Sequence, residues 1–331
     1  MLSTGSLNHG GIMVNYRCSA ACRHCLYSCS PTRGSDGYVD EAGAQEICRL
    51  LVKGACPSVH IGGGEPFLNF EGLLMMVRKL RQARIRLEYI ETNAFWAADS
   101  QNQNDASVKI KHLLAEGANC LCISIDPFHA EYVPYSAPLT LAKLCEKNGM
   151  NFFLWRQEFL GVLSQLDSQK AHSRPAMEKS LSRDYIRSTA ALYGVEFGGR
   201  AVNIERESTA LFPIENFLAE NSPCRKLLHT GHFHVDMNCC FIPPRCTGIL
   251  IPLSEALEGI PAGKYPAFEA LYSGGVCALE ALARQHGFSA EPAGYPSKCN
   301  LCFHLRHFLA EKDFFPELDR NHYEEALKYY S

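Results

Sequence analysis

The sequence predicts an α/β protein: a partial barrel of six β/α units in residues 1–203, followed by a small α+β domain in residues 204–331. Two observations lead to this prediction. Up to residue 203, short apolar runs alternate with amphipathic segments, which is typical of repeated βα units and a parallel sheet. Beyond it this alternation ends, and short strand-like and helical segments follow.

The elements follow from these runs in order. We predict strands near residues 11–16, 57–62, 86–92, 119–125, 150–155 and 194–197. Helices are expected near 39–53, 67–83, 106–116, 138–148 and 176–192, several of them entered through acidic or small polar residues that cap free N–H groups. Residues 231–252 resemble short strands joined by a turn, and residues 253–330 are mostly helical in pattern.

Composition narrows the class of protein. A chain of 331 residues with 47% hydrophobic content buries a large core, and a net charge of −3 gives no electrostatic reason to expect nucleic acid or an anionic membrane. No apolar stretch reaches the length of a membrane helix, and the first residues lack the pattern of a signal peptide. We therefore expect a cytoplasmic protein whose 16 cysteines are reduced thiols, several of them binding metal.

The segment "CSAACRHC" places Cys18, Cys22 and Cys25 on the loop after the first strand. Active groups of parallel α/β proteins gather at such loops. Thiolates select zinc, copper(I) or iron–sulfur clusters, and three ligands leave one iron of a [4Fe–4S] cluster without a protein thiolate. The alternatives are a zinc site completed by Cys29 or His24, or a group of structural thiols.

This CxxxCxxC spacing after the first strand resembles the radical S-adenosylmethionine (radical SAM) superfamily. The resemblance implies a [4Fe–4S] cluster on Cys18, Cys22 and Cys25, with SAM chelating the open iron. It also implies reductive cleavage of SAM to a 5′-deoxyadenosyl radical that abstracts hydrogen from a substrate C–H bond, with an electron donor such as flavodoxin or ferredoxin. The residue before the third cysteine is often Tyr or Phe in the family, beside the adenine, and here it is His24, which is flat enough to stack.

The second strand ends in "SVHIGGGEP", which resembles the GGEP motif of the superfamily. The resemblance implies that Gly63, Gly64, Glu65 and Pro66 bind SAM, with the glutamate on the methionine ammonium group. Glycines allow close approach to the backbone, and a carboxylate pairs a cation that burial would leave unpaired. By itself, the motif is equally consistent with an ordinary turn between strand and helix.

Three further strand ends carry polar residues that, by the same resemblance, line the SAM site. Asn93 follows the third strand, where it is equally suited to cap a helix. Ser124 and Asp126 alternate with aliphatic residues along the fourth strand and therefore face the barrel interior. Arg200 lies in the glycine-rich segment "FGGRA" after the predicted sixth strand. On the loop after the fifth strand, Arg156 is a candidate for binding a substrate carboxylate.

The C-terminal cysteines resemble the auxiliary-cluster extensions of SPASM and twitch type, although the full SPASM spacing is absent. A four-thiolate site can be assembled from Cys224, Cys246, Cys299 and Cys302, and the resemblance implies that it holds a second [4Fe–4S] cluster. Zinc, which also accepts four cysteines, is the alternative.

Cys239 and Cys240 lie on the predicted hairpin turn. They are alternative ligands of the second cluster or, if the reaction is an epimerisation, hydrogen-atom donors to a substrate radical, because the S–H bond is weak.

The resemblance implies an enzyme, and peptide modification such as epimerisation or crosslinking is the function we expect. Oxidation or epimerisation of a small molecule is an alternative within the same superfamily. A non-catalytic iron–sulfur electron carrier is an alternative from another class, but it has no need of the GGEP motif.

Overall fold

The computed structural model describes residues 2–33, 37–98, 103–219 and 222–329. In these ranges one sheet contains eight strands. They are β1 (Gly10–Met13), β2 (Ser58–Gly62), β3 (Arg86–Thr92), β4 (Cys120–Ser124), β5 (Asn151–Trp155), β6 (Phe233–Asp236), β7 (Cys240–Ile242) and β8 (Ile251–Pro252).

The strand order is β5-β4-β3-β2-β1-β6-β7-β8. Strands β1 to β5 and β6 run parallel, and β7 and β8 continue the sheet in antiparallel pairs. The predicted α/β class, with a parallel sheet of partial-barrel type and a small C-terminal antiparallel region, is confirmed.

Helices connect and cover these strands. They are α1 (Glu41–Lys53), α2 (Phe70–Gln82), α3 (Gln103–Glu116), α4 (Pro127–Ala130), α5 (Ser136–Asn148), α6 (Leu160–Leu163), α7 (Arg174–Ser180), α8 (Tyr185–Tyr193), α9 (Val202–Ser208), α10 (Glu215–Leu218), α11 (Leu253–Glu258), α12 (Pro266–Gln285), α13 (Lys298–Ala310) and α14 (Arg320–Lys328). Within the described ranges, none of them has both the length and the apolar character to cross a membrane.

Local sequence explains the first helices. Asp40 accepts a hydrogen bond from the Gly43 N–H at the start of α1, and Asn69 accepts one from the Gly72 N–H at the start of α2. The apolar faces of both helices pack on the aliphatic outer face of the sheet, where Ile12 is fully buried. The opposite face of the sheet is thereby left for polar side chains.

The predicted strand at 194–197 is wrong. This segment has no regular structure, and the sixth parallel strand is β6, which pairs with β1 at the other side of the parallel sheet. The reason is tertiary: Gly199 packs against the Leu26 carbonyl, where a Cβ would lie 2.1 Å from the oxygen, and the Arg200 N–H donates to the Cys25 carbonyl at 3.0 Å. The segment is therefore fixed to the cysteine loop rather than to β5.

The helix predicted at 176–192 is divided into α7 and α8. The division into domains at residue 203 stays a prediction. The sheet itself is continuous across that point, because β6 from the C-terminal part pairs directly with β1.

Candidate active site

A cavity of about 550 Å³ lies where the parallel strands end. Its wall combines the cysteine loop after β1, the ends of β2, β3 and β4, and the residues after β5. Seven of the residues predicted to bind SAM line it: His24, Gly63, Gly64, Glu65, Pro66, Asn93 and Ser124. The sequence patterns therefore converge on one place.

The cysteine loop contributes Cys18, Cys22, Cys25 and also Cys29 to this cavity. The Cys18 sulfur accepts hydrogen bonds from the Ala20 N–H at 3.4 Å and from Asn93 Nδ2 at 3.6 Å. A hydrogen bond from the Cys29 side chain lowers the pKa of the Cys25 thiol to about 5. The hydrogen bonds favour the thiolate form, which is the form that binds a metal, whereas burial raises the pKa of Cys18 and of Cys22.

Arg200 holds the loop from behind. Its guanidinium donates to the Cys22 carbonyl at 2.8 Å and to the Cys29 carbonyl at 2.9 Å, and the side chain is almost completely buried. The cavity lining does not include it. The structure thus gives Arg200 a role in positioning the cysteine loop, and its predicted contact with SAM has no support from its position.

The thiols of the cysteine loop do not form a compact ligand group in the described residues. Two cysteine sulfurs on one zinc ion, each at 2.3 Å, lie about 3.8 Å apart. Among the described residues, the groups of three or more His, Cys, Asp or Glu with ligand atoms within 4.8 Å of one another contain no cysteine. No three thiols of the loop therefore lie as close together as three cysteine ligands of one zinc ion.

The glycines of the GGEP motif bring two backbone segments together. The Gly64 N–H donates to the Asn15 carbonyl at 2.9 Å, and a Cβ on Gly64 would lie 2.1 Å from the Arg17 carbonyl oxygen. The Glu65 N–H donates to the same Arg17 carbonyl at 2.9 Å. The backbone at the start of the cysteine loop approaches Gly64 too closely for a side chain at that position. The glycines thereby allow the loop to be hydrogen-bonded to the end of β2.

Glu65 is buried at the bottom of the motif. Its carboxylate accepts hydrogen bonds from the Thr92 hydroxyl at 2.9 Å, the Asn93 N–H at 2.8 Å and the Phe67 N–H at 3.2 Å. Burial raises the pKa of this carboxyl to about 7. A carboxylate has roughly four acceptor sites, so one remains for a ligand cation.

Asp126 and His129 form a pair beside the loop. Asp126 accepts hydrogen bonds from the Phe128 and His129 N–H groups at the start of α4, and its second oxygen lies 2.6 Å from His129 Nδ1. His129 in turn lines the cavity and contacts the Cys22 thiol. Asp126 does not line this cavity, so the structure supports a positioning role for it rather than the predicted SAM contact.

His24 is enclosed by aromatic rings. It stacks on Phe128 with ring centroids 4.8 Å apart and meets the edge of Tyr193 at 4.6 Å. Burial lowers the pKa of His24 to about 4, so the ring is neutral at physiological pH. A neutral, flat ring at the cavity wall is compatible with the stacking role expected from the sequence.

Several cavity residues were not singled out from the sequence. They are Tyr27, Tyr89, Tyr193, His232, His234 and Arg245. The tyrosines give no local signal, since an aromatic residue in a strand or helix is usually core. The two histidines do give one, because "HFH" places both on the same face of a strand. Trp155 at the end of β5 and Arg156, the candidate for binding a substrate carboxylate, also line the cavity.

The four C-terminal cysteines predicted as ligands gather away from this cavity. Cys299 and Cys302 lie one turn apart at the N-terminus of α13, where the helix dipole favours thiolates. Burial raises the pKa of Cys246 to about 12, and the nearby thiols of Cys302, Cys299 and Cys224 contribute to this increase. None of the four lines the cavity. These effects on the pKa of Cys246 place the four thiols near one another, and their role as ligands of one cluster stays a prediction.

Cys239 and Cys240 are not part of the cavity wall. The Cys239 side chain packs against the main hydrophobic core, and the Cys240 thiol donates to the Asn238 carbonyl at 3.8 Å. Their position does not support a hydrogen-donor role at a substrate in the cavity. Neither of them is among the thiols that raise the pKa of Cys246, so they are not part of the four-thiol group.

Comparison with known proteins gives one family match. Residues 12–120 match the model of a 4Fe–4S single cluster domain, a range that contains the cysteine loop and the GGEP motif. The chain is also 27% identical over 127 residues to YydG, a candidate peptide biosynthesis protein of Bacillus subtilis (strain 168). That match covers 38% of each of the two chains, so it spans much less than the full relative.

Solved structures that match this fold have low sequence identity to the chain. SuiB of Streptococcus suis, bound to precursor peptide SuiA, is 13% identical with a TM-score of 0.38 and covers 90% of this chain and 76% of its own. The structure of anSMEcpe with bound AdoMet is 14% identical with a TM-score of 0.44, and the match covers 97% of this chain and 96% of anSMEcpe. BtrN in complex with AdoMet and 2-DOIA is 12% identical with a TM-score of 0.42, and the match covers 83% of this chain and 89% of BtrN. Similarity at this level carries no argument about the reaction.

The CxxxCxxC loop, the GGEP strand end and the match of residues 12–120 to a 4Fe–4S cluster domain belong to the same part of the chain. The matched 4Fe–4S cluster domain therefore covers the same part of the chain that carries the resemblance to the radical SAM superfamily.

Proposed function

We propose that this protein is a radical SAM enzyme that modifies a peptide substrate, by epimerisation or crosslinking. One observation carries the proposal: the thiols of the cysteine loop and the buried Glu65 carboxylate open into a single cavity. The similarity to YydG supports a peptide substrate, although it covers only part of each chain. An electron carrier would have no need for this cavity.

In this proposal Cys18, Cys22 and Cys25 hold the [4Fe–4S] cluster, and Glu65 receives the ammonium group of SAM. When bound, the cluster and SAM together supply a one-electron cleavage that produces a radical able to take hydrogen from an unactivated C–H bond. An arriving cation favours the ionised form of Glu65, which burial alone disfavours. The remaining acceptor site of the carboxylate is then filled, so no charge stays unpaired.

The aromatic side chains of the cavity restrict water and position the substrate. The Tyr193 ring is oriented at the rim by its hydroxyl, which accepts a hydrogen bond from Trp155 Nε1 at 3.0 Å. The Arg156 guanidinium lies 5.3 Å from the Trp155 ring and 5.5 Å from the Tyr193 ring. This arrangement holds a cation at the rim, where it can pair with a carboxylate of the peptide.

We further propose that Cys224, Cys246, Cys299 and Cys302 hold an auxiliary [4Fe–4S] cluster. As in the loop, these thiols are absent from the compact ligand groups found in the described residues, so no three of them lie as close together as three cysteine ligands of one zinc ion. Burial raises the pKa of Cys302, while the Arg306 guanidinium acts in the opposite direction and stabilises the thiolate. An Arg beside the group offsets part of the negative charge that four thiolates bring.

The first experiment tests the reaction class. The protein is reconstituted anaerobically with iron and sulfide, reduced with dithionite and incubated with SAM, and 5′-deoxyadenosine is quantified. We expect its formation above a no-protein control. Full iron loading with no 5′-deoxyadenosine would favour the electron carrier.

The second experiment tests the substrate. A short peptide encoded beside this gene is incubated with the enzyme, SAM and dithionite in D₂O. Epimerisation replaces a carbon-bound hydrogen with one from an exchangeable donor and adds about 1 Da per residue, whereas a crosslink removes two hydrogens and lowers the mass by about 2 Da. An unchanged peptide mass, with active SAM cleavage, would contradict the peptide proposal.

A further inference from the structure

Three neighbouring strands place a glycine between two histidines, with one histidine on each side of it. In the register of the sheet, Gly11 of β1 pairs with His60 of β2 on one side and with His234 of β6 on the other. Adjacent strands lie about 4.8 Å apart, so the two histidine backbones are roughly 10 Å from each other. Their rings meet only if no side chain lies between them.

Gly11 provides that space. A Cβ at this position would lie 2.3 Å from His60 Nε2 and 2.6 Å from His234 Nε2. Without it, the two Nε2 atoms come within 3.1 Å of each other. The glycine at position 11 thus allows two imidazole rings to come into contact inside the barrel.

A third histidine completes the group. The His232 ring lies 5.4 Å from the His60 ring and 5.0 Å from the His234 ring, and one ligand nitrogen of each histidine lies within 4.8 Å of the others. Two imidazole nitrogens on one zinc ion at 2.0–2.1 Å are about 3.3 Å apart in tetrahedral geometry. The observed separation of His60 and His234 is close to this value.

The surroundings favour the neutral form of these rings, which is the form that binds a metal. Burial lowers the pKa of His60 to about 3 and lowers the pKa of His232 and His234, with the neighbouring histidines adding to the effect. Tyr89 stacks on His60 at 4.9 Å, and the Tyr27 ring lies 5.1 Å from His234. These aromatic rings restrict the orientation of the imidazoles.

The group opens toward the substrate. His232 and His234 line the same cavity as the cysteine loop, and so does Glu91, whose carboxylate lies 3.8 Å from His60 Nε2. Imidazole with a carboxylate is a common ligand set for divalent transition metals. A metal held by the three histidines would keep at least one coordination position toward the cavity.

We propose that His60, His232 and His234 form a binding site for a divalent transition-metal ion such as Zn²⁺, separate from the thiol groups and facing the substrate cavity. The open position suits a carboxylate of the substrate. This site goes beyond the proposed SAM reaction and does not depend on it.

Zinc binding by the protein with its clusters in place tests the site. Wild type and variants are reconstituted with iron and sulfide, equilibrated with Zn²⁺ and desalted, and zinc and iron are measured by mass spectrometry. We expect about one more zinc per chain in the wild type than in His232→Ala, with equal iron, and at least tenfold weaker zinc binding in the variant. His232 is exposed, so its replacement leaves the fold intact.

His9→Ala is the matched control. The His9 ring lies 5.6 Å from the His232 ring but is not part of the three-histidine group, so this variant should bind zinc as the wild type does. Zinc K-edge absorption should show nitrogen ligands near 2.0 Å. Equal zinc in wild type and His232→Ala, equal loss in His9→Ala, or sulfur ligands near 2.3 Å would each overturn the proposal.

Discussion

The cysteine loop and the C-terminal thiol group, Cys224, Cys246, Cys299 and Cys302, are built in different ways. In the loop, irregular backbone is fixed by distant residues: Asn93 from the end of β3 and Arg200 from the segment before α9. In the C-terminal group, two of the four thiols come from one turn of α13. The loop thiols line the cavity, and the C-terminal thiols do not.

This difference separates two tasks. A cluster that binds SAM needs an open iron and access for a substrate, which only the loop offers. A cluster on four thiols away from the cavity is suited to stabilising the fold or to transferring electrons. The two regions should therefore respond differently to substitution.

Removing the loop thiols should have the largest effect. We expect Cys18→Ala, Cys22→Ala and Cys25→Ala together to remove about four irons per chain and to abolish formation of 5′-deoxyadenosine, because no other group in the cavity replaces three thiolates. Iron analysis and product quantification check this. Cys48→Ala, a buried thiol of α1 outside both groups, is the control. SAM cleavage by the triple variant would refute the assignment.

Removing C-terminal thiols should lower the iron content without affecting the SAM-binding cluster. Cys246→Ser with Cys302→Ser is expected to lose about four irons while the SAM-binding cluster remains, because neither thiol reaches the cavity. The measurement is iron content together with the electron paramagnetic resonance signal of the reduced protein with and without SAM. If the SAM-dependent signal disappears with the auxiliary iron, the two sites are not independent.

Replacing Arg200 tests how the loop is held. In Arg200→Met the carbonyls of Cys22 and Cys29 lose their charged donors, and each such hydrogen bond contributes about 1.5–3 kcal/mol. We expect unfolding at clearly lower temperature and reduced iron loading. Arg245→Met is the matched control, since its ion pair with Glu196 is exposed and contributes at most about 1 kcal/mol. Equal stability of both variants would exclude the positioning role.

Glu65→Gln should give a smaller effect that depends on pH. Because burial raises the pKa of Glu65 to about 7, the folded protein keeps this proton between about pH 4.5 and pH 7, whereas the unfolded chain releases it. This group therefore makes the wild type less stable as pH rises through that window, by at most about 3 kcal/mol. The amide variant lacks this loss, so its stability relative to wild type should increase from pH 4.5 to pH 7.

Binding of SAM should change in the opposite direction. The amide cannot pair with the ammonium group, so we expect weaker SAM binding by Glu65→Gln at pH 7. Calorimetric titration of SAM and thermal unfolding across the pH range measure both effects. Glu91→Gln is the comparison, because this carboxyl has a similarly raised pKa but a half-exposed side chain, and its effect should be smaller. Unchanged SAM affinity in Glu65→Gln would argue against its proposed role.

Much of the first half could be predicted because its signals are local. The spacing of Cys18, Cys22 and Cys25 is contained in eight residues, and the GGEP motif in four. The alternation of apolar and polar residues along β4 depends only on the strand period, and of the two polar residues that it singles out, Ser124 lines the cavity and Asp126 does not.

The structure decided what depends on contacts between distant parts of the chain. Arg200 meets the cysteine loop 171 to 178 residues away, and nothing near it in the sequence shows that its partners are carbonyl groups. In the same way, the segment 194–197 is expected from its sequence to form a strand, but Gly198 and Gly199, which follow it, pack against the loop, and β6 takes the place beside β1.

The sequence by itself therefore determined the fold class, the cysteine spacing and the strand ends, since each follows from backbone periodicity or from neighbouring residues. Only the tertiary structure decided that His60 and His234 meet across Gly11 and that the C-terminal strands extend the same sheet. The physical reason is register: which residues face each other across strands is set by the pairing of segments far apart in the chain, and no local pattern records it.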